Sequence, residues 1–194
     1  MECTLPSQDL PIGVFDSGVG GLTVVRALRA ALPCEDILYL GDTARVPYGT
    51  RSSATVERYA QRVAGHLVRR GIKALVVGCN TATTYAIDGL RNVGVQRGIP
   101  VIGVIEPGVE AALSATQGHV GVIGTEGTIR GGAYSDLLKA RNPNLTISTA
   151  ACPLFVALAE EGWVDDDIAR AVAVRYLHPL VGGPDTLILG CTHY

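Results

Sequence analysis

Seven short apolar runs recur along this chain, at residues 11–15 (PIGVF), 36–41 (DILYLG), 74–79 (ALVVGC), 101–106 (VIGVIE), 120–125 (VGVIGT), 145–149 (LTIST) and 186–191 (TLILGC). Each is brief and apolar throughout. A strand with one wet face alternates in polarity, whereas one covered on both faces does not. The runs therefore predict buried strands of parallel sheets. Amphipathic stretches separate them. Residues 22–32 carry Leu22, Val25, Leu28 and Leu32 at helical spacing, and residues 53–70 carry Val56, Val63 and Leu67 behind Ser52 or Ser53 as a cap. Residues 165–177 open on three aspartates, suited to a helix N-terminus. Strand alternating with helix predicts the α/β class, with mainly parallel sheets flanked by helices.

The pattern also repeats. IGVFDSGVGG, starting at Ile12, resembles VGVIGTEGTI, starting at Val120, and ALVVGCNT from Ala74 resembles TLILGCTH from Thr186. The two spacings nearly agree and the order is kept. Single apolar strands ending in Gly look alike by chance, but the matched cysteines favour two related halves. Two pseudo-symmetric domains are expected, 1–104 and 105–194, joined near residues 100–107, with an active site in the cleft between them. At 194 residues, 47% hydrophobic and 18% charged, the chain can bury a sizeable core. A net charge of −2 gives no hint of a nucleic-acid surface, and no run approaches the roughly 20 apolar residues of a membrane span. The N-terminus lacks a basic start and an apolar stretch, so no secretory signal is expected. Five scattered cysteines then predict reduced thiols and a cytoplasmic setting, with Cys3 and Cys34 incidental.

Four stretches carry candidate chemistry. Asp16-Ser17-Gly18-Val19-Gly20-Gly21 follows a strand and opens a helix, a turn able to offer N–H groups to an anion. It is not a dinucleotide fingerprint, since Thr23 stands where the third Gly belongs, and Asp16 can equally be a capping residue. Gly41-Asp42 and Pro47-Tyr48-Gly49 follow the next strand. Tyr48 either closes over a small ligand or packs as an ordinary turn tyrosine. Cys79-Asn80-Thr81 and Cys191-Thr192-His193 each end a buried strand. A helix following either cysteine would lower its thiol pKa. A single such cysteine is often structural; two at matching places are harder to dismiss. Cys152 reads as packing against the helix it precedes.

Two equivalent thiols suit one task in particular. A racemase removes the Cα proton from one face and returns a proton to the other, which needs two acid/base groups, one deprotonated and one protonated. A hydrolase would need a single thiol with a base and an oxyanion hole. Pyridoxal chemistry would need a Schiff-base lysine, and neither Lys73 nor Lys139 is a convincing candidate. No zinc-ligand spacing occurs. A two-lobed binding protein would fit the architecture but has no use for paired thiols.

The motifs DSGVGGLT (16–23), GD with PYG (41–49), GCNTAT (78–83), GVIGTEGTI (121–129), CPLFV (152–156) and LGCTHY (189–194) resemble, in order, those of the bacterial glutamate racemases. The related aspartate racemases differ around the cysteines, where Thr83 and His193 here favour glutamate. The resemblance implies Cys79 and Cys191 as proton donor and acceptor, with Asp16 and Ser17 on the substrate's amino side. It implies Tyr48, Gly49, Asn80, Thr81, Thr192 and His193 around the substrate's carboxylates and backbone. Asp16 and His193 would each assist a neighbouring thiol, and Asp42, Glu160 and Thr125 would have supporting or pocket roles. It further implies no cofactor or metal, glutamate as the small-molecule partner, room for a homodimer, and supply of D-glutamate for peptidoglycan. Family members continue past the second cysteine motif, so a C-terminally incomplete second domain and weak activity are expected of residues 1–194.

Overall fold

The computed structural model describes residues 9–194, so Cys3 lies outside the described residues. They form two compact units. The first runs to Tyr48 and resumes over Ser52–Val104; the second joins Gly49–Arg51 to Ile105–Tyr194.

In the first unit the chain runs β1 (Ile12–Asp16), α1 (Leu22–Ala31), β2 (Ile37–Gly41), α2 (Ser53–Arg69), β3 (Ala74–Val77), α3 (Asn80–Arg97) and β4 (Val101–Gly103). The strands are parallel, in the order β2-β1-β3-β4. The second unit contains α4 (Ile105–Ala115), β5 (His119–Gly124), α5 (Glu126–Gly131), α6 (Ala133–Arg141), β6 (Thr146–Ala151), α7 (Pro153–Glu160), α8 (Asp167–Leu177) and β7 (Thr186–Gly190). Its parallel order is β6-β5-β7. The same plan is used twice: a central first strand, the next strand on one side and the third on the other. The register repeats as well. Ile12 pairs with Ile37 and Ala74, and Val120 with Ile147 and Thr186. Ile12 with Val120, and Ala74 with Thr186, are positions that matched in the sequence repeat.

The helix signals act where expected. Ser52 caps α2, accepting from the Thr55 N–H at 3.3 Å, and Asp166 caps α8, accepting from the Ala169 N–H at 2.7 Å. In the first unit Phe15 and Val77 pack with Val56 and Leu67 of α2 and with Ala86 and Leu90 of α3. The other sheet face, with Val14 and Val76, takes Val24, Val25 and Leu28 of α1. Val109, Val120, Val122, Leu138 and Ile188 make the second unit's core. Truncating a fully buried aromatic such as Phe15 to Ala costs about 3–5 kcal/mol in sites of this kind.

Two expectations need correction. Burial on both faces holds for β1 and for nearly all of β3 and β5, but β2 and β6 are only partly buried. β7 alternates, with Leu187 43% and Leu189 52% exposed. Central strands are sandwiched between helices, while strands at a sheet's edge receive less cover. The run at 101–106 is also not one strand: β4 stops at Gly103 and α4 starts at Ile105. Pro107 falls in the first turn of that helix, where its missing N–H costs nothing.

At the amino end of the second sheet Asp185 ties β7 to the turn before β5. Its carboxylate accepts from the Thr116 and Thr186 hydroxyls and from the Gln117 and His119 N–H groups. The Thr116 hydroxyl foremost, with the other donors, holds its pKa at about 2. A carboxyl depressed in this way adds stability above its ordinary value near 4 and loses it as pH falls towards 2. Asp185→Asn should therefore lower Tm at pH 7, and the gap from the parent should close as melting is repeated down to pH 2. A gap independent of pH would contradict the assignment.

Candidate active site

Open parallel sheets bind ligands beyond the carboxyl ends of their strands, where the chain reverses its direction across the sheet. In the first unit that place is the junction of β1 and β3. Phe15 pairs with Val77, so the residues two further on, Ser17 and Cys79, emerge side by side. The Cys79 thiol donates to Ser17 Oγ at 3.5 Å. Both are nearly fully buried.

Cys79 is the N-cap of α3, and its sulfur accepts from the Ala82 N–H at 3.4 Å, a task normally done by an oxygen. The conditional expectation of a helix behind this thiol is met. The first two helical residues, Asn80 and Thr81, are buried beside it. Thr83 turns inward: its hydroxyl donates to the carbonyls of Val77 at 3.2 Å and Cys79 at 2.9 Å. It braces the main chain under the thiol.

Asp16 is fully buried, and its Oδ2 accepts from the N–H groups of Gly18 and Gly21 at 3.0 and 3.1 Å. It shapes the turn that carries Ser17. A Cβ on Gly21 would lie 2.4 Å from Asp16 Cβ, so glycine is required there. Asp42 is buried and accepts from the Tyr48 hydroxyl at 2.6 Å and from Arg45 Nη1 at 3.0 Å. Tyr48 is thus packed, with its hydroxyl donating to Asp42.

The second unit builds a matching place with different chemistry. Gly124 pairs with Gly190, so Thr125 and Cys191 occupy the positions corresponding to Ser17 and Cys79. Thr125 is the buried N-cap of α5; its hydroxyl oxygen accepts from the Thr128 N–H at 3.3 Å. Gly49, grouped with this unit, lies directly against it: a Cβ there would sit 2.3 Å from Thr125 Cβ. Cys191, Thr192, His193 and Tyr194 form a turn, closed by the Tyr194 N–H on the Cys191 carbonyl at 3.4 Å. His193 Nδ1 lies 3.7 Å from Cys191 Sγ, and its Nε2 lies 2.6 Å from Glu160 Oε1 at the end of α7. A thiol, an imidazole and a carboxylate stand in line.

Three tyrosines were missed in the sequence. Tyr39, in β2, donates to the Gly18 carbonyl at 2.6 Å. Tyr134, in α6, is buried, and burial first, then the charge of Cys191, pushes its pKa up. The Tyr194 hydroxyl donates to the Cys152 carbonyl at 2.8 Å. For Tyr39 there was a signal, a polar-tipped ring within an aliphatic run. The two lysines lie elsewhere: Lys73 pairs with Glu35, and Lys139 donates to the Leu145 carbonyl at 2.6 Å. Among the described residues no cluster of three or more His, Cys, Asp or Glu is arranged to hold a metal ion, and no helix is long and apolar enough to cross a membrane.

A thiol thus lies beyond the third strand of each of two matching parallel sheets, each with polar groups at its sulfur, in a two-unit α/β protein. Comparison with known proteins agrees. Residues 21–194 match the family model described as Asp/Glu/Hydantoin racemase. The glutamate racemase of Geobacter metallireducens is 57% identical over 185 residues, which is 94% of this chain and 67% of that protein. The structure of glutamate racemase from Francisella tularensis in complex with D-glutamate superposes with a TM-score of 0.90 at 44% identity, covering 96% of this chain and 70% of that one. The glutamate racemase isoform RacE1 from Bacillus anthracis gives a TM-score of 0.90 at 42% identity, over 95% and 69% of the two chains. The chain belongs to the Asp/Glu/hydantoin racemase family of isomerases, and within it to the glutamate racemases.

Cys152 tests the separation of chemical from structural thiols. It is fully buried at the N-cap of α7, and burial pushes its pKa up to about 11. At pH 8 only about one thiol in a thousand is then ionised. Iodoacetamide labelling of the folded protein, read by peptide mass mapping, should modify the exposed Cys34 early and leave Cys152 untouched. Early labelling of Cys152 would refute its structural assignment.

Proposed function

We propose that this chain interconverts L- and D-glutamate by proton transfer at Cα between Cys79 and Cys191, without a cofactor, supplying D-glutamate for peptidoglycan in the cytoplasm. The observation that carries this reading is the thiol at the same topological position in each unit, each supported by its own polar groups. The relatives named above lend the substrate. The engagement of both lysines away from the carboxyl ends of the strands supports chemistry without a Schiff base.

In the reaction, one cysteine as thiolate takes the Cα proton, and the other, as thiol, delivers a proton to the opposite face. On the Cys79 side the Ala82 N–H and the N-terminus of α3 favour negative charge on sulfur. The Ser17 hydroxyl accepts from the thiol and can rotate to donate to the thiolate. On the Cys191 side His193 can exchange a proton with the sulfur through Nδ1 while Glu160 holds Nε2. The carboxylate fixes the ring's orientation. Gly49, Asn80, Thr81 and Thr192 would offer main-chain and side-chain groups to the substrate's carboxylates. Asp42 would act through the Tyr48 turn.

Incubation with glutamate in deuterium oxide tests the reading. The parent chain should place solvent deuterium at Cα of both enantiomers. Cys79→Ala and Cys191→Ala should each lose racemisation by about 10²–10⁴-fold or more. Each variant should keep exchange with one enantiomer only, because one base remains and serves one face. Exchange with neither enantiomer by the parent, despite glutamate binding, would point to a binding protein. Efficient turnover of aspartate in place of glutamate would move the substrate assignment.

The support of Cys191 gives a second expectation. Glu160→Gln keeps size and a hydrogen bond but removes the negative charge beside the His193 ring. It should cut kcat by roughly tenfold with little change in KM, as for a group felt mainly in the transition state. An unchanged kcat would remove Glu160 from the mechanism.

A further inference from the structure

Tyr39 has no part in the mechanism above, yet its hydroxyl reaches the turn that presents Ser17. Its ring packs against the face formed by Ile12, Val14 and Val76, in register opposite Val14. From there the hydroxyl donates to the Gly18 carbonyl at 2.6 Å. The rest of the turn is held just as closely. The Asp16 carbonyl accepts from the Asp42 N–H at 3.0 Å, and the Gly18 N–H donates to Asp16 Oδ2 at 3.0 Å. Gly41 leaves the room: a Cβ there would stand 2.2 Å from the Gly18 carbonyl oxygen. Ser17 therefore sits between two pinned neighbours, with its own hydroxyl at Cys79 Sγ.

We propose that Tyr39 is a positioning residue for Cys79, acting through the Gly18 carbonyl to hold the Ser17 hydroxyl on the sulfur. The proposal rests on the reading of Cys79 as an acid/base thiol. Other titratable groups within electrostatic reach are Asp16, at the end of β1, and Tyr48, after β2. Burial first, and then the charges of Asp16 and Cys79, raise the pKa of Tyr39 itself, so its hydroxyl remains a donor when the thiolate forms. Without this hydroxyl the Gly18 peptide can rotate, and Ser17 no longer keeps its place as the partner of the thiolate.

The test is Tyr39→Phe in the full chain, which retains the ring and its packing. Cys79 and Cys191 are followed together by iodoacetamide labelling across pH, with peptide mass mapping, alongside Tm and glutamate kinetics. Loss of the hydroxyl should move the Cys79 labelling midpoint upward by about half a pH unit and leave Cys191 in place. It should lower kcat/KM roughly tenfold. Since the two enantiomers are equally stable in water, that fall must be the same in both directions. In a Ser17→Ala background the change at Tyr39 should add nothing, because the link it serves is gone. A merely structural tyrosine would lower Tm without moving the Cys79 midpoint, and that result overturns the proposal. So does an equal shift of both thiols, or full additivity with Ser17→Ala. Absence of glutamate exchange in the parent would instead defeat the proposed function, while the labelling arms would still decide the role of Tyr39.

Discussion

Parallel registration of the central strand with the third strand is the constraint on which the site depends. Neighbouring parallel strands advance together by about 3.3 Å per residue, so a pairing near their ends fixes what emerges beyond them. Phe15 opposite Val77 delivers Ser17 and Cys79 as neighbours, and Gly124 opposite Gly190 gives Thr125 and Cys191 corresponding positions. A slip of one residue would turn Cys79 to the other face of its sheet. The buried faces forbid that slip, since Phe15, Val77 and Val122 have no exposure to trade for it. The apolar packing of the sheet is thus what positions the chemistry.

The groups met beyond each strand end then decide what surrounds each thiol. Cys79 stands at the head of an 18-residue helix and spends its sulfur as the cap. Cys191 has the imidazole of His193 at its sulfur. Capping by sulfur places a polar demand on the first turn of α3, and Asn80, Thr81 and Thr83 are buried there in answer. This is why α3 carries little amphipathic pattern: its buried first turn mixes Asn80, Thr81 and Thr83 with Ala82, and the inward face turns wholly apolar only further on, at Ala86 and Leu90. The helix could be named from sequence only as a condition on Cys79.

Legibility followed the same physics. The central strands were readable because burial on both faces leaves an unbroken apolar run, and the repeat was readable because equivalent strands keep equivalent neighbours. Edge strands were misjudged: β7 is largely apolar while its cover depends on tertiary position, and β6 was read as an apolar run although Thr146, Ser148 and Thr149 make half of it polar. The stretch from 101 to 106 hid a strand end and a helix start in one apolar run, and the Pro107 that marks the helix's first turn looked like punctuation of a loop. Strand-end residues could be nominated individually, but the direction of a hydroxyl could not. Tyr48 turns to Asp42 and Thr83 to the main chain, choices set by partners distant in space or hidden in the backbone. Tyr39 escaped because its partner is a carbonyl, and a carbonyl leaves no mark in a sequence.

The two units share topology and register but not the groups around their thiols, and the proposed reaction permits that divergence. The substrate and product are mirror images with equal free energy in water, so kcat/KM must agree in the two directions whatever the protein does. That equality binds only the overall path. It does not require the two bound enantiomers to be equally stable, nor the two thiols to be stabilised alike. One side can lean on a helix N-terminus and a hydroxyl, and the other on an imidazole backed by a carboxylate. What cannot diverge is the placement of a sulfur at each strand end. The repeat in the sequence is accordingly clearest in the strands that fix that placement, Ala74–Val77 and Thr186–Gly190, and fades in the residues that tune it.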